Sequence, residues 1–514
     1  MEGEHKPDRE ECPVVAAECA ARRVFEDVLG FCRQDESSFR CFETNLLKRL
    51  FVLGCLLVRL FLTSRGQRLA WRDETPPRGY RLGNPRAPRT LKTVFGVVEY
   101  ERSQLLRKQG GTGYHPLDVE LGLTRDGFSP WVISFVTRLA TRMSFAASRL
   151  LCRSVLGWSP STEAIEHLVL GLGRQAQPYM EQQVAPADDG EVLVIEVDGK
   201  CPPTATEAEL QKRRGRRPVK HEGACKCGCQ RHRGKAKRTA RGPKKRRKKG
   251  DKSKNGKEVM VVVMYTLKRG EDGQLHGPLN KKVWGSFAGR KAAALWARAQ
   301  ATKRGFGLDT TKTVQIVTDG AKGLKDNLEP LFPRAIFTLD VCHAVEYLWD
   351  LGHRFHKEAS DELKAQVGEW KELVYAGRAA ELVERLQRLL EQVPLNGPGT
   401  KGKRKALAKV IGYFKPRLEM MQYHTWRDQD LVIASGQVEG AVRHVVGERL
   451  DCAGMRWIPG KAEALLHLRC IELNGDWDAF IAWSDQQHAQ RLLDRQAVLI
   501  RSNQPLKCKF DLAA

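Results

Sequence analysis

The period of the apolar positions changes along this chain, and each change marks an element. EVLVIEVDG, Glu191 to Gly199, is a nearly continuous apolar run that stops on an acid. Val192, Leu193, Val194, Ile195 and Val197 are too apolar for an edge and the right length for a central strand, which Gly199 then breaks. VMVVVMYTL, Val259 to Leu267, reads as a second strand. A turn at Glu271-Asp272-Gly273 leads to a third, around Lys282 to Phe287. A helix from about Arg290 to Arg304, a strand at 314–318, another helix and a strand at 335–340 follow. Three consecutive strands and then alternation predict an α/β fold with a mixed sheet, not a doubly wound one.

Upstream, the stripe of Leu46, Leu47, Leu50, Leu53, Leu57 and Leu60 predicts one helix, while the first 40 or so residues are polar and predict little. Residues 74–89, rich in proline and arginine, read as an extended basic linker. TLKTVF and VVEYER, divided by Gly96, predict a hairpin. Ser129-Pro130 and Ser159-Pro160 each offer an N-cap serine with proline at the first helical position, and Ser144 caps a helix between them. Three short helices are expected, at about 130–142, 145–156 and 160–174. With the turn at Gly157-Trp158 they make either a helix-turn-helix-like DNA reader or plain packing.

From His343 to about Arg427 the pattern is helical throughout. Leu382, Leu386, Leu389, Leu390 and Val393 share one face, and the loop NGPGTKGK divides the block. SGQVEG then turns into a helix carrying Glu439, and Trp477 and Trp483 mark closing helices. The expected organisation is an N-terminal helical and linker region (1–88) and a mainly helical DNA-binding region with the hairpin (89–184). A sheet core follows (185–342, with an insert at 201–258), then an all-α insertion (343–430), the rest of the core (431–475), and C-terminal helices with a tail (476–514).

Charge sharpens this. The 514 residues carry a formal +26. Between Gln211 and Lys257 there are 22 Lys and Arg against Glu222 and Asp251, so about +20 sits in the insert. A run this dense expects a polyanion, most simply nucleic acid gripped through its phosphates by groups such as Lys244, Lys245, Arg246 and Arg247; a solvated tail is the bland alternative. Within it, HEGACKCGCQRH gathers His221, Cys225, Cys227, Cys229 and His232. Thiolates and imidazole suit zinc, but the C-x-C-x-C spacing is tighter than the usual knuckle, so free thiols in a basic loop compete with Zn²⁺. The 14 cysteines are otherwise mostly scattered and no secretory leader precedes them, which points to a reducing cytoplasm. The most apolar segment, Leu50 to Leu62, is broken by Arg59 and too short to span a bilayer; it reads as a buried or dimerising helix, and no membrane is expected.

The candidate chemistry lies at element ends. Asp198 closes the first core strand, Asp319 ends VQIVTDG, Asp340 ends AIFTLD, and Glu439 sits one turn inside a helix. Asp198, Asp319 and Glu439 are 121 and 120 residues apart. Acids at buried strand ends are costly unless paired or bound to metal, and acids drawn together raise one another's pKa. Hard carboxylate oxygens suit Mg²⁺ or Mn²⁺, and two such ions roughly 3.5–4 Å apart drive in-line phosphodiester chemistry. Solvated acids at strand ends are the alternative. Asp340 competes with Glu439 as third ligand, and Glu196, on the same strand face as Asp198, is a lesser rival.

EVDGK around Asp198, TDGAKG around Asp319, the D-x-x-H of Asp340 and His343, SGQVEGAVRHVVGERL around Glu439 with the following CAGMRW, and PLDVELGL at Pro116–Leu123 together resemble the DDE transposases of bacterial insertion sequences, in the ISKra-type branch of the Mutator-like group. The resemblance covers roughly residues 85–485. It implies an RNase H-like core interrupted by a helical insertion, and metal-dependent cleavage at element ends with strand transfer into target DNA. It also implies an enzyme in the bacterial cytosol or nucleoid, acting on terminal inverted repeats as a dimer or larger. Asp198, Asp319 and Glu439 become ligands of two metal ions, with His343 beside them on a phosphate or a displaced strand. Arg443, His444 and Arg449 follow Glu439 on the DNA path, Lys322 follows Asp319, and Arg456-Trp457 offers a cation beside a stacking ring. RKQGGTGYHPLD lacks the cysteine pair that relatives often carry, so no N-terminal zinc site is expected. Two other readings share the scaffold: a domesticated, non-catalytic DNA-binding protein, and an RNase H-like nuclease or resolvase without strand transfer.

Overall fold

The computed structural model describes residues 12–34, 38–68, 76, 79–108, 110, 113–214, 256–321 and 323–499. Two compact units divide it, one of Met1–Tyr179 with Asp476–Ala514 and one of Met180–Gly475.

The first unit opens with a helix that the polar composition hid. α1 (Pro13–Phe31) buries only Ala17, Ala21, Val28 and Phe31, a stripe whose two alanines give little apolar signal. It packs on α2 (Phe39–Arg68). The expected linker is in part structured: β1 (Tyr80–Leu82) pairs antiparallel with β4 (Leu105–Arg107), outside the hairpin of β2 (Ala87–Thr93) and β3 (Gly96–Arg102). Leu91, Val98 and Tyr100 of the hairpin pack with Leu62 and Leu117. PLDVELGL forms the short helix α3 (Pro116–Glu120), whose Asp118 takes Arg89 at 2.6 Å, Arg102 at 2.8 Å and the Tyr100 hydroxyl at 3.1 Å.

The three following helices are α4 (Pro130–Arg142), α5 (Phe145–Leu156) and α6 (Thr162–Gln182). Ser129 and Ser144 accept from the amides of Val132 and Ala147, as N-caps do. The third cap is Ser161, which accepts from Ala164, and not Ser159; Pro160 lies just outside that helix.

In the second unit the chain runs β5 (Val192–Lys200), α7 (Glu207–Arg214), β6 (Val259–Arg269), β7 (Leu275–Ser286), α8 (Arg290–Lys303), β8 (Thr313–Thr318), α9 (Lys325–Leu328) and β9 (Ile336–Leu339). The five strands form one mixed sheet in the order β7-β6-β5-β8-β9. β6 is antiparallel to β5 and β7, while β5, β8 and β9 are parallel. β5 is central, and Val192 through Val197 are all buried, which is why its sequence does not alternate. β7 begins seven residues earlier than its apolar pattern predicted, because Leu275–Lys281 is an exposed, polar half-strand. Residues 215–255 lie outside the described residues, and with them Cys225, Cys227, Cys229, His232, Lys244, Lys245, Arg246 and Arg247; Lys322 does too.

A helical block follows: α10 (Val341–Gly352), α11 (Asp361–Tyr375), α12 (Ala379–Gln392), α13 (Thr400–Phe414), a 3₁₀ turn (Lys415–Met420) and α14 (Tyr423–Asp428). Leu382 and Leu386 are fully buried on the predicted face of α12. α15 (Gly436–Val442) passes through a π turn (Arg443–Gly447) into α16 (Glu448–Leu450), and α17 (Pro459–Leu473) packs on β7. α18 (Trp477–Leu499) returns to the first unit. Among the described residues no helix is long and apolar enough to cross a membrane.

Candidate active site at the ends of the parallel strands

Register brings the strand-end acids to one place. Val197 of β5 pairs with Thr318 of β8, which pairs with Leu339 of β9. The next residue on each strand is Asp198, Asp319 or Asp340, so three carboxylates leave one edge on neighbouring strands, roughly 4.8 Å apart in the pairing direction. The Asp340 amide donates to Thr318 O at 2.9 Å, which holds that row together one residue beyond β9.

Asp340 is the most enclosed of the three, with no exposed surface. It caps α10: its Oδ1 accepts from the Cys342 amide at 2.8 Å. Its Oδ2 accepts from His343 Nδ1 at 2.8 Å and from the Ser435 hydroxyl at 2.5 Å. Burial works against this carboxylate, yet the bonds from His343, Ser435 and Cys342 outweigh it and hold its pKa below the ordinary value. The same bond raises His343 to about 9, against the opposing effect of its own burial. With Nδ1 engaged, His343 has Nε2 left for a further partner.

Glu439 arrives from α15, exposed. One ligand atom from each of Asp340, His343 and Glu439 lies within 4.8 Å of the others, so this group can hold a metal ion. Asp198 and Asp319 stand close enough to act on it through charge. The Asp198 carboxyl is pushed up by burial first and then by the negative charges of Asp319 and Glu439, with His343 and the Gly199 amide opposing. The compact trio therefore contains Asp340 and His343 where the sequence reading placed Asp198 and Asp319. The reason is local: Asp340 caps α10, and His343, one turn further on, bonds back to it.

Several contributors carried little or no sequence signal. Glu196, buried at the centre of β5, accepts from the Tyr265 hydroxyl at 2.6 Å and from the Val438 amide at 2.8 Å. Burial raises its pKa to about 7. The Asp319-Gly320 turn is held from the helical block: the Tyr413 hydroxyl donates to Asp319 O at 2.6 Å, and Arg417 donates to Gly320 O from Nε at 2.9 Å and Nη2 at 2.6 Å. Tyr413 stacks on Tyr347 with ring centroids 3.9 Å apart, with Arg417 over its own ring. Only Glu196 had a signal, as a lone charge in an apolar run.

Of the residues expected along a DNA path, Arg443, His444 and Arg456 are exposed. The Arg443 amide donates to Glu439 O, one α-helical turn on, and His444 Nδ1 lies 2.8 Å from Glu448. Arg449 is turned inward, which corrects its assignment, while Trp457 is half-buried against it. Arg449 is 1% exposed and lies over the Trp457 ring at 4.9 Å, while Trp457 Nε1 donates to Leu450 O at 3.1 Å. Six residues apart and with a π turn between them, Arg443 and Arg449 do not share one helix face.

No protein-family model matches the chain, and no curated protein does. Among solved structures, the chain is similar to the Drosophila P element transposase strand transfer complex. The match has 11% identity, covers 70% of this chain and 95% of that one, and has a TM-score of 0.29.

Proposed function

We propose that this chain is a DDE-type transposase of the ISKra-like, Mutator-like kind, whose sheet is an RNase H-like core interrupted by the helical block at 343–430. One observation carries the reading: acids from three neighbouring strand ends and Glu439 meet at one sheet edge, in a chain whose motifs around each resemble that family's. The strand order, an antiparallel meander of β5, β6 and β7 on one side and the parallel β8 and β9 on the other, supports it.

The donor set suits hard divalent cations. Asp198 is held above its ordinary pKa partly by the charges of Asp319 and Glu439, a crowding that a cation relieves. On this reading Asp198, Asp319 and Glu439 hold two Mg²⁺ or Mn²⁺ ions, which when bound activate a water or a 3′-hydroxyl and stabilise the leaving oxygen. His343, kept protonated by Asp340, donates from Nε2 to a phosphate oxygen. Arg443 and Arg456 take the backbone near the site, and the basic insert and α4–α6 take it elsewhere. Cutting two element ends calls for a dimer or larger, acting in the cytosol.

The test uses duplexes taken from the DNA flanking the gene, with Mg²⁺ or Mn²⁺. Nicking and joining are expected, and Asp198→Ala, Asp319→Ala and Glu439→Ala should each abolish both while leaving binding intact. Full activity in all three variants would refute the site. Cleavage without joining would make the protein a nuclease, and salt-sensitive binding without cleavage a DNA-binding protein.

A further inference from the structure

Helix α15 carries Glu439 but has no side-chain cap of its own. Ser435, the residue in the capping position, is 4% exposed and spends its hydroxyl on Asp340 Oδ2. The first amides of a helix need acceptors, and leaving buried ones bare is costly. The Glu439 amide finds Ser435 O at 3.1 Å. The Val438 amide finds Glu196 Oε2 at 2.8 Å, 242 residues away in the chain, and the Gln437 amide also bonds to Glu196. The other Glu196 oxygen is fixed by the Tyr265 hydroxyl, on the adjacent strand β6.

We infer that Glu196 is the N-cap of α15 supplied from the central strand, a positioning residue that sets Glu439 against Asp198 and does not itself bind metal. Both of its oxygens already accept, and the side chain is wholly enclosed. A ligand needs an oxygen that faces the ion, as the exposed Glu439 has and Glu196 lacks. Because Glu196 and Asp198 share a strand face two residues apart, one strand then supplies both a proposed metal ligand and the support for another.

The inference rests on Glu439 being a metal ligand, and the two are separable by experiment. The amide oxygen of Glu196→Gln can still accept from Val438 while its NH₂ donates to the Tyr265 oxygen; Glu196→Leu keeps the bulk and loses both acceptors. Mn²⁺ binding to the full chain is measured by electron paramagnetic resonance, and amide hydrogen exchange at Gln437–Glu439 alongside it. Glu196→Gln should hold Mn²⁺ affinity within about threefold, and Glu196→Leu should lose about tenfold or more, the scale of partners that orient ligands. Glu196→Leu should also speed exchange at Gln437–Glu439 with α17 unchanged. Should Glu196→Leu not fold, Tyr265→Phe, which frees one Glu196 oxygen, should show a smaller loss of the same kind. Glu196→Gln as damaging as Asp198→Asn would overturn the inference by making Glu196 a ligand. Native exchange at Gln437–Glu439 in folded Glu196→Leu, or in Tyr265→Phe if Glu196→Leu does not fold, would overturn the cap alone. A wild-type chain that takes up no Mn²⁺ would overturn the metal reading itself.

Discussion

The start of the central strand is pinned by a buried ion pair whose contribution can be titrated. Asp189, just before β5, takes Arg304 bidentately, Nε to Oδ2 and Nη2 to Oδ1, both at 2.7 Å. Thr266 of β6 and Asn280 of β7 donate to the same carboxylate, so one acid ties β5 to two strands and to the end of α8. The pair is enclosed, with Arg304 and Asp189 side chains 6% and 12% exposed. Burial alone would raise the Asp189 pKa, but Arg304, Thr266 and Asn280 outweigh it and bring it to about 2. A folded pKa below the unfolded one, which is about 3.9, means stability that is present above pH 4 and lost as the pH falls toward 2. At about 1.4 kcal/mol per unit this amounts to about 2.5 kcal/mol at pH 7 and about 1.3 kcal/mol at pH 3. Asp189→Asn removes the charge and strands Arg304, so it should cost about 3 kcal/mol at neutral pH. Urea unfolding of both proteins, read by tryptophan fluorescence (Trp284 and Trp296 stack 5.2 Å apart on β7 and α8), gives the difference at each pH. The gap should narrow by about 1.2 kcal/mol between pH 7 and pH 3. A gap that stays constant over that range would show that the Asp189 charge is not the source.

Asp118→Asn should destabilise the first unit by about 3–5 kcal/mol, because it strands Arg89 and Arg102, whose side chains are 9% and 11% exposed; a lower melting transition by circular dichroism checks it. Gly320→Ala should cost about 1–3 kcal/mol and slow cleavage, since φ is +71° there and an added Cβ would meet Arg417 Nε at 2.6 Å and Leu339 Cδ1 at 2.7 Å; a melting curve beside a nicking assay decides it. On the proposed function, EDTA should stop nicking reversibly, and Mn²⁺ at a hundred times its dissociation constant should stabilise the second unit by about 2.7 kcal/mol, read as a rise in its melting temperature.

Much of the sheet was legible because its strands are buried on both faces. β5, β6 and β8 show as apolar runs; Asp319 and Asp340 interrupt the pattern just past β8 and β9, whereas β5 is not broken at Gly199 but runs two residues beyond Asp198, still paired with β6. What sequence did not show follows from weaker or longer-range forces. The first half of β7 is solvated, so pairing with β6, not burial, makes it a strand. Ser159 and Ser161 are equally good caps by type, and the backbone entry to α6 decides between them. Arg449 turns inward over the ring of Trp457, eight residues further on, a contact that composition does not announce. At the site, the acids were legible one at a time but their division of labour was not. Glu196 looks like a rival ligand in sequence, and only its partners, Tyr265 and Val438, mark it as an acid already engaged in holding others, while Asp340 stays in the compact trio with its bonds to Ser435 and His343.

That division of labour makes the helical block part of the site. Carboxylates on adjacent strand ends repel, and the sheet fixes only the residues before them. The Asp319-Gly320 turn lies beyond β8, and its two carbonyls are held by Tyr413 and Arg417, 94 and 97 residues further on. Arg417 also donates to Tyr413 O at 2.6 Å and covers that ring, so the end of α13 and the turn move together. Arg417→Met keeps the stem and removes every donor. Each lost charged hydrogen bond is worth about 1.5–3 kcal/mol when buried, but Gly320 O is only partly buried and water can replace Arg417 there, so the net cost should be nearer 1–3 kcal/mol. The functional effect should be larger, because a displaced Asp319 misplaces the reacting groups, and shifts of about 1 Å can cost a hundredfold. Metal-dependent nicking by Arg417→Met should therefore fall by about tenfold or more at a temperature where the variant is fully folded. Wild-type nicking in a folded Arg417→Met protein would show that the strand end holds Asp319 unaided, and that the helical block is an appendage to the site.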